Sequence, residues 1–305
     1  MAPMPEHQTS SASYRQAAWG AWVGIVGNVL LGGAKLVGGI LGTSSALVAD
    51  AGHSLSDSLS SVVVLWGLRR ARKPADEKHP FGHGKAEFMA ARTVAVMLIL
   101  IAVVLGYQAI AKILHPPPET FPKTFTLWFV LASILIKEGM YQYKYRLGRR
   151  LKSESLLADA WHHRSDAFSS VCALAGISAA LVLGHEWRVL DPIAALVIAL
   201  IILGVGLKAF FRTGSVLMDE AADAETLAAI RRVAAGVSGV KDTEKLMTRR
   251  SGLETHMELH VEVNPAMSVR EAHEVARQVE QTIRREVPGA THVTVHIEPY
   301  YPDDH

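Results

Sequence analysis

A single cysteine, Cys172, in 305 residues removes three classes of protein at once. A disulfide framework, a Cys-x-x-Cys redox centre and a four-cysteine zinc site all need more thiols than that. Charge is scarce as well: Asp, Glu, Lys and Arg make up 20% of the chain, against roughly 25% in soluble domains. The formal net charge is only +2 and no long basic run occurs, which excludes a disordered or nucleic-acid-coating chain. There is no Walker-type phosphate loop and no His-Glu-x-x-His stretch, so no enzymatic activity has support. What the chain does have is apolar sequence, half of all residues, at a mean hydropathy of +0.20, together with 14 histidines. That balance points to a membrane protein, and the histidines carry the chemistry.

Apolar runs of spanning length recur at 17–41, 46–68, 88–114, 125–140, 156–183 and 190–211. A span needs about 20 residues at 1.5 Å rise, so the fourth run crosses only if it continues through Tyr141–Tyr145, whose rings suit a membrane interface. The sequence therefore predicts a polytopic α-helical membrane protein with six transmembrane helices over residues 15–213. Residues 1–14 are polar, lack the layout of a cleaved signal and read as a tail. Basic residues crowd two links, Arg69, Arg70, Arg72, Lys73, Lys78 and Lys85 after the second run and Lys144, Arg146, Arg149, Arg150 and Lys152 after the fourth. The opposite links hold little beyond Lys112, Lys123 and Arg188. The positive-inside rule then puts both termini in the cytoplasm, with the chain in a cell (inner) membrane.

From residue 214 to 305 the texture is that of a cytoplasmic α+β domain. A helix at 224–236, strands near 244–250 and 255–263, a helix at 269–287 and a strand at 292–298 give an αββαβ order. Val269, Ala272, Ala276, Val279 and Ile283 form an apolar stripe at helical spacing.

Inside the membrane region a motif repeats. Residues 44–61, SSALVADAGHSLSDSLSS, and 153–170, SESLLADAWHHRSDAFSS, align without a gap at an offset of 109, with ten of eighteen positions identical. Because the second and fifth helices run in opposite directions, the repeat is inverted, and inverted repeats with ionisable residues mark transporters. His53 with Asp57, and His162 with Asp166, each lie one turn apart on one helix face. His53 is eleven residues from Gly42 and His162 ten from Lys152, which puts both about 15 Å deep, near the middle of a ~30 Å core. One reading is a pair of structural His–Asp contacts bracing two helices. The other is a bound cation, which offsets the ~2.5–3.5 kcal/mol that each ionised midplane carboxylate costs. Two imidazoles and two carboxylates suit tetrahedral Zn²⁺. Asp50 and Asp159 then orient the ligands or accept protons. Lys35 and the adjacent Lys137 and Glu138 read as snorkelling and as a local ion pair, ahead of roles in proton transfer.

The pieces HSLSD (53–57), HHRSD (162–166) and, between them, PADEKHPFGHGKAE (74–87) resemble the cation diffusion facilitator family, proton-coupled exporters of zinc and related divalent ions. The resemblance spans nearly the whole chain and implies a homodimer whose cytoplasmic domain has a ferredoxin-like, metallochaperone-like fold. It implies transported metal on His53, Asp57, His162 and Asp166, although some relatives carry Asp where His53 stands, which leaves the metal open. Asp76, His79 and His83, on spacing alone either a solvated loop or a metal group, match a second zinc site of the family. Lys85 and Asp219 match a charge interlock near the membrane surface.

In the strand at 255–263, His256, Glu258, His260 and Glu262 share one face and Met257, Leu259, Val261 and Val263 the other, and His292, Thr294, His296 and Glu298 repeat the open face on the last strand. For His256 and His292 a solvated polar face and a metal role stand level. For His260, His273, His296 and Glu298 the resemblance implies regulatory zinc, although Lys241 stands where many relatives have a further His. The expected function is therefore Zn²⁺ export against H⁺, with Fe²⁺, Cd²⁺, Co²⁺ or Mn²⁺ as alternative cargo and no organic cofactor. A non-transporting membrane metal sensor is the rival of a different class. Metal ions, protons, the lipid bilayer and a second copy of the chain are the expected partners, and nucleic acid is not.

Overall fold

The computed structural model describes residues 11–117, 121–151, 154–252 and 254–301; the side chains of 11–25, 64, 148, 150–151, 154–159, 162–163 and 165 lie outside that description. Six long helices come first: α1 (Ser11–Leu41), α2 (Ser45–Ala71), α3 (Ala86–Leu114), α4 (Thr126–Leu151), α5 (Glu154–Leu183) and α6 (Leu190–Leu217). The fourth apolar run does continue through Tyr141–Tyr145, giving α4 26 residues. Among the described residues three helical stretches are apolar and long enough to cross a membrane by composition alone, Ala86–Leu114, Asp166–Leu183 and His185–Leu217. The helices α2 and α4 are more polar, carrying Asp50, Asp57, Lys137, Glu138 and Lys144.

By contacts the chain divides into two compact units, Met1–Val62 with Val94–Lys208, and Val63–Thr93 with Ala209–His305. The first has a core of small and branched residues, including Ala46, Ala49, Ala102, Ala173, Ile177, Ala195 and Ile198. Lipid tails are as apolar as Leu, so such helices associate by close packing and small residues favour it. A Cβ at Gly39 would stand 2.8 Å from Val48, and one at Gly32 the same distance from Leu55, so glycine sets the approach of α1 to α2. The start of α2 is held by Asp191 at the start of α6. Its carboxylate accepts from Ser44 Oγ at 2.6 Å and from the backbone N–H of Ser45 at 2.6 Å and Ala46 at 3.3 Å. These are donors that a helix start leaves without an internal partner.

The second unit holds α7 (Ala224–Ala235), β1 (Val240–Ser251), β2 (Glu254–Val263), α8 (Val269–Glu286) and β3 (Ala290–Pro299). The expected αββαβ order holds, with β1 running longer than the sequence suggested. The sheet order is β1-β2-β3, antiparallel between β1 and β2 and parallel between β2 and β3. A capping box starts α8: Ser268 Oγ accepts from Glu271 N, and Glu271 Oε2 accepts from Ser268 N at 2.8 Å. The stripe that α8 buries is Val275, Val279 and Ile283 against Met257, Leu259 and Val261. Val269, expected to open that stripe, is 88% exposed because it sits in the first turn, before the helix meets the sheet. Fully burying side chains such as Val279 and Ile283 stabilises the domain by about 1.5–3 kcal/mol each.

Candidate metal centres

In the first unit, α2 and α5 bring His53, Asp57 and Asp166 together, with one candidate ligand atom from each within 4.8 Å of the others. His53 Nε2 stands 3.7 Å from Asp166 Oδ1, and the Nδ1 of His53 is buried with no hydrogen-bond partner among the described residues. His162 lies on α5 one turn before Asp166, and its side chain lies outside the described residues, as does that of Asp159.

One turn before His53 stands a fully buried polar knot. Lys35 Nζ on α1 donates to Asp50 Oδ2 at 2.8 Å, Ser54 Oγ at 3.2 Å and Ser170 Oγ at 3.1 Å. Those bonds use all three ammonium donors. Asp50 also accepts from Ser169 Oγ at 2.7 Å and Ser170 Oγ at 2.9 Å. The snorkelling expected of Lys35 is therefore corrected: the side chain has no solvent exposure and pairs with a carboxylate. In an apolar surrounding a paired ammonium is the affordable one. Likewise Lys137 and Glu138 do not pair with each other. Lys137 Nζ, also buried, donates to the Asp166 carbonyl at 2.9 Å, and Glu138 accepts from Gln142 one turn on.

The sequence did carry a signal for Lys35. Lys144 follows it by 109 residues, the same offset that relates Asp50 to Asp159 and His53 to His162. Lys144 is 2% exposed.

In the second unit Asp76, His79 and His83 converge in the loop between α2 and α3. Asp76 Oδ1 lies 3.1 Å from His79 Nδ1 and its Oδ2 3.4 Å from His83 Nε2, with the two rings 4.5 Å apart. The hydrogen bond from Lys73, then those from His79, hold the Asp76 carboxyl well below the usual carboxylate range. Lys85 Nζ pairs with Asp219 Oδ1 at 2.8 Å. Both side chains are over 40% exposed, so the pair fixes a position more than it adds stability.

On the sheet, the parallel register sets His256 beside His292, His260 beside His296 and Glu262 beside Glu298. His260 Nδ1 is 2.8 Å from Glu298 Oε1, and His296 Nε2 is 3.5 Å from the same oxygen. The bond from His260 holds the Glu298 carboxyl below its ordinary value. His273 does not join this group. It stands on the exposed outer side of α8, and α8 buries its other side on the apolar face of the sheet, so within one chain the sheet separates them. A second correction concerns His256 and Glu262, expected on an open face. Both are buried, at 5% and 4% exposure.

A family profile for the cation efflux transmembrane domain matches residues 21–218, and one for the cytoplasmic domain of cation efflux proteins matches residues 222–300. The chain belongs to the cation diffusion facilitator family. It is thus a multi-pass membrane protein of a family of metal cation exporters, with the small sheet domain as its cytoplasmic part. Metal tolerance protein C1 of Arabidopsis thaliana is 36% identical over 293 residues, covering 92% of this chain and 62% of that protein. The chain therefore spans less than two thirds of that relative's length. The manganese efflux system protein MneS of Bacillus subtilis (strain 168) is 31% identical over 281 residues, 92% of this chain and 94% of that one. Magnetosome protein MamB of Magnetospirillum gryphiswaldense is 29% identical over 261 residues, 86% of each.

Proposed function

We propose that this family member exports Zn²⁺ from the cytoplasm in exchange for H⁺, as a homodimer in the cell membrane with both termini cytoplasmic. Residues 1–14 are a tail, 15–213 the transmembrane domain and 214–305 the regulatory and dimerisation domain. The observation that carries the reading is the meeting of His53, Asp57 and Asp166 on two helices related by an inverted repeat. His162 completes a two-imidazole, two-carboxylate set suited to tetrahedral Zn²⁺. The sensing-scaffold alternative gains nothing from an inverted repeat centred on the midplane, whereas alternating access around a fixed site needs one. Flux of Zn²⁺, Fe²⁺, Mn²⁺, Cd²⁺ and Co²⁺ into proteoliposomes, measured side by side, tests the reading. Flux of none of them would leave the scaffold. The name of the Bacillus relative favours Mn²⁺ as the second reading. Its preference for oxygen ligands counts against it at a site with two imidazoles.

Proton coupling follows from the ligands. Metal binds neutral His and ionised Asp, so binding releases protons and protonation releases metal. Histidine suits the exchange because its unperturbed pKa is about 6.5. Zn²⁺ affinity at the membrane site is therefore expected to fall as pH falls, with proton release on binding. Calorimetry in buffers of different ionisation enthalpy, with the cytoplasmic ligands replaced, checks both. An affinity flat with pH and no proton release would rule out coupling by ligand competition.

The Asp76, His79 and His83 group and the His260, His296 and Glu298 group lie outside the midplane site, and we assign them regulatory ions. Metal bound to one arrangement favours it by RT ln(1 + [L]/Kd), about 2.7 kcal/mol at a hundredfold excess. The His260→Ala, His296→Ala double variant is expected to keep basal flux and lose its stimulation by cytoplasmic Zn²⁺. Undiminished stimulation would remove the regulatory role.

A further inference from the structure

His256 lies on β2 in a row of polar side chains, yet its Nε2 is out of solvent and has no hydrogen-bond partner among the described residues. Leaving a buried polar group in that state is costly, so the nitrogen draws attention to the groups around it. Two further donors surround it. The imidazole of His292, its neighbour on β3, stacks at 4.2 Å between ring centroids with 30° between planes. Glu254 Oε2 stands 3.9 Å from the orphaned nitrogen. One ligand atom from each of the three residues lies within 4.8 Å of the others.

We propose that Glu254, His256 and His292 form a further divalent-cation site, taking a borderline ion of the Zn²⁺ class. A tetrahedral Zn²⁺ with Zn–N near 2.0–2.1 Å draws its ligand atoms to about 3.3–3.5 Å from one another. The exposed side chains of Glu254 and His292 have room for that contraction, whereas His256 is held by burial. Two nitrogens and one carboxylate oxygen favour Zn²⁺, Co²⁺ or Ni²⁺ over the oxygen-seeking Mg²⁺ and Ca²⁺. Burial, then the neighbouring His292 and Arg249, lower the pKa of His256 and keep its imidazole neutral, the form with a lone pair to give.

The charged groups facing the site are accounted for. Lys85 is held by Asp219 at 2.8 Å, and Arg249 reaches the same carboxylate at 4.0 Å while its guanidinium lies over the Phe81 ring at 4.8 Å. Their positive charge weakens the site, which makes its ion exchangeable. Room for it exists. A cavity of about 670 Å³ is lined by Phe81, Asp219, Arg249, His256 and His292, and a second of about 460 Å³ by Phe81, His83, Glu254 and His292. The site is distinct from the His260, His296 and Glu298 group, which begins four residues further along both strands, about 13 Å away. It also places an ion where the loop carrying Phe81 and His83 meets the end of the sheet. Metal bound there would tie β2 to β3 directly beneath that loop. The inference is independent of which ion crosses the membrane.

The test uses the full chain in detergent, in a background carrying Asp57→Asn, Asp76→Asn, His260→Ala, His296→Ala and Cys172→Ser. Equilibrium dialysis against Zn²⁺ is expected to lose one ion per chain when His256→Gln is added. In the same background His292→Cys with Co²⁺ is expected to give the intense near-ultraviolet band of a cobalt–thiolate bond, and His256→Gln to weaken it. Unchanged Zn²⁺ stoichiometry on His256→Gln overturns the site. So does a His292→Cys protein with the parent's thermal transition but no cobalt–thiolate band.

Discussion

Asp57→Ala and Asp166→Ala are each expected to reduce metal flux to that of protein-free liposomes, with the purified variants still folded. At the proposed site each replacement would take a charged ligand from a set of four, leaving three donors and one negative charge to hold a divalent ion in a place water does not easily reach. Partners that merely orient a ligand are worth about 10–100-fold in metal affinity, so loss of the ligand itself lowers affinity by more than about 100-fold. The two residues differ in sequence neighbourhood but not in role, because the 109-residue offset that relates them also relates His53 to His162. Equal losses in the two variants are therefore expected, read as initial rates of ion uptake at saturating and at low metal. Wild-type flux in either variant would sink the membrane site, and with it the transport path.

Lys35→Met is expected to be nearly as damaging, for a different reason. It leaves Asp50 fully buried with its countercharge removed, a change that costs about 3–5 kcal/mol in buried ion pairs. The loss spreads to the site. Lys35 also bonds Ser54 and Ser170, which follow His53 by one residue and Asp166 by four, so the knot sets the register of the two helices that carry the proposed ligands. Removing both charges is kinder: in the Lys35→Met, Asp50→Asn double variant no buried charge stands alone, and most of the thermal stability returns. Flux returns only in part, because the amide and thioether do not rebuild the three bonds of the ammonium. Thermal unfolding in detergent and liposome flux read the two effects separately. A double variant no more stable than the single one would show that the pair matters as packing and not as charge.

Local pattern carried a great deal here. Six helices, the αββαβ order and the inverted motif are all periodicities, and periodicity survives in a one-dimensional string because side-chain direction repeats every 3.6 residues in a helix and every two in a strand. The helix α4 was readable as soon as aromatic interface residues were allowed to extend it. The clustering of His53 with Asp57 on one helix face was equally legible, since a helix turn puts residues four apart on one face whatever the helix packs against. What periodicity does not contain is the far partner of a side chain. Lys35 and Asp50 are fifteen residues apart and on different helices, and only the packing of α1 against α2 and α5 shows that one neutralises the other. His256 and His260 occupy equivalent places in the strand pattern, yet one is sealed beside Phe81 with an unpartnered nitrogen while the other bonds Glu298. His273 looked like a companion of His260 and stands across the sheet from it. The sequence by itself determined which faces of each element are polar and where the His–Asp turns fall, because these depend on neighbours a few residues away. Only the tertiary structure decided which polar faces meet, which are covered and which are left to solvent, because burial and pairing depend on segments brought together from across the chain.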